Sequence, residues 1–143
     1  MHIKLTNDTP EKYTIGQLRR DNPQTSFPKD IPADVLAEFD VYKVKQVTAS
    51  EIDSKTHAST QTVELIDGEW TQVWQIVQLP LDQAEANIRA HRDYLLQESD
   101  WIVSRSYERG ESVPADWATY RQALRDVTLQ AGFPYSVVWP DRG

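Results

Sequence analysis

The sequence predicts an α+β chain: a small antiparallel β-sheet with short helices in the N-terminal half, then a helical C-terminal half. Three observations carry this reading. Asp67-Gly68 stands between two β-rich runs, TVELI and EWTQVWQIV, and Asp-Gly supplies the positive φ angles of a two-residue hairpin turn. Leu81, Ala84, Ile88, His91 and Leu95 recur at helical spacing. Trp117, Tyr120, Leu124, Val127 and Ala131 do the same further along.

The elements follow in order. Ile3 and Leu5 alternate with polar neighbours, which suits a half-buried strand. Thr14 with Gln17 has capping-box spacing and predicts a helical turn over Ile15 to Asp21. Asn22-Pro23 ends it, because proline disfavours helical geometry in the residue before it. Pro32 can open a short helix ending near Phe39, with Val35, Leu36 and Phe39 inward. Val41 to Val47 reads as a strand, with Tyr42 and Val44 on one face and Val41, Lys43, Lys45 and Val47 on the other. The polar run Thr48 to Thr62 is expected to be a long mobile loop. In the hairpin, Leu65 should oppose Trp70 and Val63 should oppose Gln72. Val63, Leu65, Trp70, Trp74 and Ile76 would then share a core face.

In the second half, a helix should run from Leu81 to about Ser99, with Asp82 and Glu85 at cap-like spacing. Pro114 can take the first turn of the next helix, and Gly132 can close it in the left-handed conformation. The Phe133 to Gly143 tail is rich in aromatic and branched residues. A boundary is placed near Pro80, giving a β-rich domain over 1–80 and a helical domain over 81–143. Cation usage shifts there: all lysines precede it, and every cation after it is arginine.

Composition bounds the function without naming it. With 143 residues, 39% apolar and 26% charged, the chain can bury a real core. The absence of cysteine excludes disulfides, thiolate metal sites and a cysteine nucleophile. A formal charge of −7 argues against broad nucleic-acid binding, which needs a positive surface. No apolar run approaches ~18 residues, so no membrane span is expected. The N-terminus lacks a signal-peptide layout, and a soluble protein of a reducing compartment is expected.

Catalytic patterns are scarce. His2, His57 and His91 are far apart with no other ligand type at metal spacing, and His91 fits a half-buried helix position. Glu98-Asp100 and Glu108-Glu111 read as solvated or arginine-paired acids. Ser99, Ser104, Ser106 and Ser112 lack a nucleophile-elbow frame, and no glycine-rich loop could cradle a phosphate. The aromatics say more. Trp70 and Trp117 read as core. Trp139 either folds back with the tail or anchors a partner, since aromatics and arginines dominate interface energy. Arg121 and Arg125 lie one turn apart, forming either a solvated face or one that meets a carboxylate-bearing partner.

Two C-terminal segments, RDYLLQESDW (Arg92 to Trp101) and PADWATYRQALRDVTLQAGFPYSVVWP (Pro114 to Pro140), resemble the tail assembly chaperone family of tailed bacteriophages. The likeness rests on Arg92, Leu95, Leu96, Asp100 and Trp101, on Tyr120, Arg121, Leu124, Arg125 and Asp126, and on Gly132, Phe133, Pro134, Trp139 and Pro140. The first half is similar to phage proteins carrying the same tail through YTIGQLRRDNPQTSFPKDIP, VYKV and the DGEWTQVW hairpin. One departure is Ile102 to Val113, read as a loop, which carries charges where relatives show a short Pro- and Asp-containing segment.

The resemblance implies a non-enzymatic protein that binds a tail component, the tail fibre or another tail protein, and aids its folding or assembly. A permanent virion part, such as a fibre-tip or baseplate adaptor, is the alternative. Work would be in the host cytoplasm, with the virion tail as the alternative location. The expected contact residues are Trp101, Arg121, Arg125, Phe133, Tyr135 and Trp139. No catalytic residue, metal or cofactor is expected, nor nucleic acid or membrane as partner; self-association stays open.

Overall fold

The computed structural model describes residues 1–142, which form the expected α+β arrangement. They fall into two compact units. The first joins Met1–Glu51 with Ser59–Gln75; the second joins Ile52–Ala58 with the chain from Ile76 onward.

The first unit opens with β1 (His2–Thr6) and β2 (Thr9–Tyr13), then α1 (Ile15–Asp21), α2 (Ala33–Ala37) and β3 (Val41–Lys43). These strands form an antiparallel sheet in the order β2-β1-β3, with Leu5 opposite Pro10 and Ile3 opposite Tyr42. β2 was not anticipated, because TPEKY carries little apolar alternation. Its cue is Asn7-Asp8, whose φ angles of 51° and 63° make the tight turn.

The capping box of α1 forms as its spacing predicts. The Thr14 hydroxyl accepts from the Gln17 amide at 3.1 Å, while Gln17 Oε1 accepts from the Thr14 amide at 2.8 Å. Its inward Leu18 meets Leu36 of α2 and Val41 of β3, all buried, with Phe27 and Phe39 edge-to-face beside them. Ile3 and Val44 are buried on the other face of the sheet, so alternation along 41–44 stands while both faces are covered. The strand itself stops at Lys43 rather than Val47. From there the chain laces onto the hairpin: the Lys45 amide donates to the Trp70 carbonyl and the Gln72 amide to the Lys45 carbonyl.

That hairpin pairs β4 (His57–Ile66) with β5 (Glu69–Gln78) across the Asp67-Gly68 turn, with φ of 50° and 79°. The turn is where the sequence places it, but the strands are longer. His57 to Thr62, expected in a loop, are strand, because Ser, Thr and Gln can line a strand whose side chains meet water. The expected core face also differs. Leu65 is 58% exposed and Ile76 50% exposed, whereas Gln72 on the same face is 7% exposed. Gln72 is drawn in because its Oε1 accepts from the Val47 amide at 3.0 Å, next to Trp74, whose indole donates to the Val47 carbonyl.

The second unit contains α3 (Leu81–Glu98), α4 (Asp100–Arg109) and α5 (Ala115–Arg125), followed by a 3-10 turn (Asp126–Leu129). Ala84, Ile88, Ile102, Leu124 and Val127 are its fully buried apolar residues. α4 replaces the expected loop at Ile102 to Val113. Ile102 and Ser106, one turn apart, face inward, and the Ser106 hydroxyl is satisfied by the Ile102 carbonyl at 2.8 Å. Gly110, at φ 66°, ends α4 in the left-handed conformation. Gly132 does not perform that role for α5, which stops at Arg125. It sits where a Cβ would lie 2.1 Å from the Ser136 carbonyl oxygen, so close backbone approach is what demands glycine there.

Candidate functional site

The helical unit presents its chemistry on two groups of aromatic side chains. The first straddles α4 and α5. Trp101 packs edge-to-face on Trp117 with centroids 5.6 Å apart, and Tyr120 lies 6.1 Å from Trp117. Cations bracket the pair. Arg105, one helical turn after Trp101, lies 5.0 Å from its ring, and Arg142 lies 3.7 Å from the Trp117 ring while pairing with Asp116 at 3.3 Å. Such contacts hold the rings at about 0.5–1 kcal/mol each at exposed positions. The result is a ladder, Arg105–Trp101–Trp117–Arg142, with Trp101 51% exposed. Tyr107 on α4 is 87% exposed. A groove of about 440 Å³ runs beside Thr119 and Ala123, bounded by Pro140 and Arg142.

The second group is the returning tail. Phe133 lies under Arg89 at 5.3 Å, and the Tyr135 hydroxyl donates to the Leu79 carbonyl at 2.7 Å. Trp139 meets His91 edge-to-face at 4.6 Å and is half-buried, so of its two readings the folded-back one is observed. Gln130 clamps the turn by donating to the Val138 carbonyl and accepting from the Val138 amide. Burial lowers the pKa of His91, and the nearby Lys55 cation adds to that.

Arg121 requires a correction. It does not share a solvent-facing stripe with Arg125; it is 8% exposed. Its guanidinium donates to the Leu96 carbonyl at 2.8 Å, to the Ser99 hydroxyl, and to Asp100 Oδ1 at 2.8 Å. The reason is the break between α3 and α4. The Leu96 carbonyl in the last turn of α3 accepts from the Ser99 amide and hydroxyl, and the Arg121 cation adds a further donor there and complements the helix dipole. Asp100, in the first turn of α4, completes the clamp. Thus Trp101 and Arg125 are exposed, Phe133, Tyr135 and Trp139 are half-buried in the returning tail, and Arg121 lies inside. Sequence reasoning missed Arg105 and Trp117 as neighbours of Trp101, and Arg142 as the neighbour of Trp117. The i, i+4 spacing of Trp101 and Arg105 was available, but only once that stretch is read as helix.

Residues 85–142 match the phage tail assembly chaperone protein family. The matched segment runs from Glu85 in α3 through α4 and α5 to Arg142, and it contains the whole aromatic ladder. The match covers this C-terminal segment alone, and the family it points to is one described by phage tail assembly. No curated protein and no solved structure matches the chain. Among the described residues, no cluster of three or more His, Asp or Glu side chains is placed to hold a metal ion. No helix among them is long and apolar enough to cross a membrane.

Proposed function

We propose that the chain is a non-enzymatic assembly chaperone that grips a phage tail component, the tail fibre, through the ladder on α4 and α5. The supporting observation is the exposed Trp101 between Arg105 and Trp117, inside the segment that matches the chaperone family. A folding fibre presents apolar surface and unpaired strand edges that invite aggregation. Aromatic rings set among arginines bind such surface well, because the rings contribute area at low entropic cost and the guanidinium groups reach backbone carbonyls and carboxylates. Arg125 is exposed on α5, and the half-buried Phe133, Tyr135 and Trp139 belong to the tail that carries Arg142 to Trp117. The net charge of −7 keeps the free chaperone soluble and disfavours self-association.

The test is co-expression with the adjacent fibre protein. Soluble trimeric fibre should depend on this chain, and Trp101→Ala with Arg105→Ala should weaken capture by about tenfold or more, as truncation of an interface anchor does. Equal fibre solubility without the chain would refute the proposal. Mass spectrometry of purified particles then separates a departing chaperone from a permanent adaptor: stoichiometric presence means the latter.

A further inference from the structure

We infer that the outer edge of β4, over Ser59 to Leu65, is a strand-addition site for an extended acidic segment of another polypeptide, independent of the aromatic ladder. The register of the β4–β5 hairpin fixes which backbone groups face outward. The two-residue turn puts Ile66 opposite Glu69, and the Leu79 amide donating to the Thr56 carbonyl at 2.8 Å confirms the same register at the far end. Even-numbered β4 residues therefore bond to β5, and Ser59, Gln61, Val63 and Leu65 turn their N–H and C=O groups away from it. Among the described residues these groups make no backbone hydrogen bond, and β4 has a single strand neighbour. The opposite edge of the hairpin is covered, since Lys45 bonds there to Trp70 and Gln72.

Edges left free in folded proteins are ordinarily guarded by proline, lysine or shortness. The three-stranded sheet does this: β2 is five residues long, and its outward positions are Pro10 and Lys12. β4 spans ten residues, HASTQTVELI, with no proline and no lysine. An unguarded run of backbone donors and acceptors is complementary to one thing, another extended backbone. Charge selects among extended segments. A groove of about 510 Å³ is lined by Gln61, Thr62 and Val63 together with Ile3, Pro10 and Lys12. The Lys12 ammonium has no ion-pair partner there among the described residues. A strand laid along Ser59 to Leu65 with apolar side chains toward the part-exposed Pro10 and Val63 and a carboxylate near Lys12 satisfies the edge, the groove and the cation together.

The probe is a short synthetic peptide of alternating threonine and valine with one central glutamate. It should bind the full chain and slow hydrogen exchange at the Ser59, Gln61, Val63 and Leu65 amides. The same peptide N-methylated on alternate amides should not bind. Val63→Pro removes an outward donor without touching the β4–β5 ladder and should weaken binding about fivefold, the worth of one such bond. Should that variant fail to fold, Gln61→Lys, which places a guarding charge on the edge, should weaken binding in its stead. Lys12→Glu should reverse the preference between the glutamate peptide and its lysine counterpart, and Trp101→Ala should leave peptide binding unchanged. Equal binding of the N-methylated peptide, or unchanged exchange at the four amides, would overturn the inference. So would self-association of the free chain that Val63→Pro abolishes while no peptide binds, which assigns the edge to a second copy.

Discussion

The three-stranded sheet of the first unit and the helices of the second differ in what they bury beside their apolar residues. Around the three-stranded sheet the buried residues are apolar: Leu18, Leu36 and Val41 close one face, and Ile3 and Val44 are sealed on the other. In the helical unit an arginine goes inside while Trp101 and Tyr107 stay in water. The difference teaches that the helical unit is built around a junction rather than around its largest side chains. Where α3 ends and α4 begins, Arg121 ties the two together through the Leu96 carbonyl, the Ser99 hydroxyl and Asp100. The aromatics so released stand on the surface, held by cations instead of by a core.

The largest expected effect probes the sealed unit. Leu18→Ala should destabilise the protein by about 2–5 kcal/mol, read by chemical denaturation, because a fully buried leucine leaves a cavity. The contrast itself is tested next. Arg121→Ala should cost about 1–3 kcal/mol by removing its hydrogen bonds to the Leu96 carbonyl and the Ser99 hydroxyl and its ion pair with Asp100 from a buried position, while Arg125→Ala, at an exposed position, should stay within about 0.5 kcal/mol. Equal effects at the two arginines would dissolve the comparison. Thr14→Ala should cost about 1 kcal/mol through loss of the capping box of α1.

The smallest effect is one of pH. Burial, then the Lys55 cation, hold the pKa of the folded His91 below its ordinary 6.5. The unfolded chain therefore takes up that proton first as pH falls. The contribution of His91 is complete above about 6.5, declines as pH drops through the window below it, and levels off once the folded imidazole is protonated too. His91→Gln should flatten that part of the stability–pH curve measured by thermal melts. His2 in the sheet unit is shifted the same way, by burial and then by the N-terminal charge and Lys43, so His2→Gln shows how much of the slope belongs to each unit.

Local signals read from the sequence held where a few neighbouring residues suffice. Thr14 and Gln17 cap α1, and Asp67-Gly68 turns the hairpin. Leu81 begins α3. The readings that failed lacked such signals. α4 hid because Ile102 and Ser106 are its only buried residues, too sparse a stripe to register as periodicity. β2 hid because an edge strand of exposed residues shows no alternation. At the candidate site, aromatic and arginine content was visible in composition, but which ring meets which cation was not. Trp101, Trp117 and Arg142 are far apart in sequence and meet only through packing.

The sequence by itself determined the α+β division, the capped first helix and the hairpin turn. Each is written in backbone preferences and hydrogen bonds between residues a few positions apart. Only the tertiary structure decided that Arg121 turns inward, that Trp139 rests on His91, and that Leu65 remains in water while Gln72 does not. Those outcomes depend on which unsatisfied group, carbonyl, amide or ring edge, another element brings within reach, and chain spacing carries no record of that.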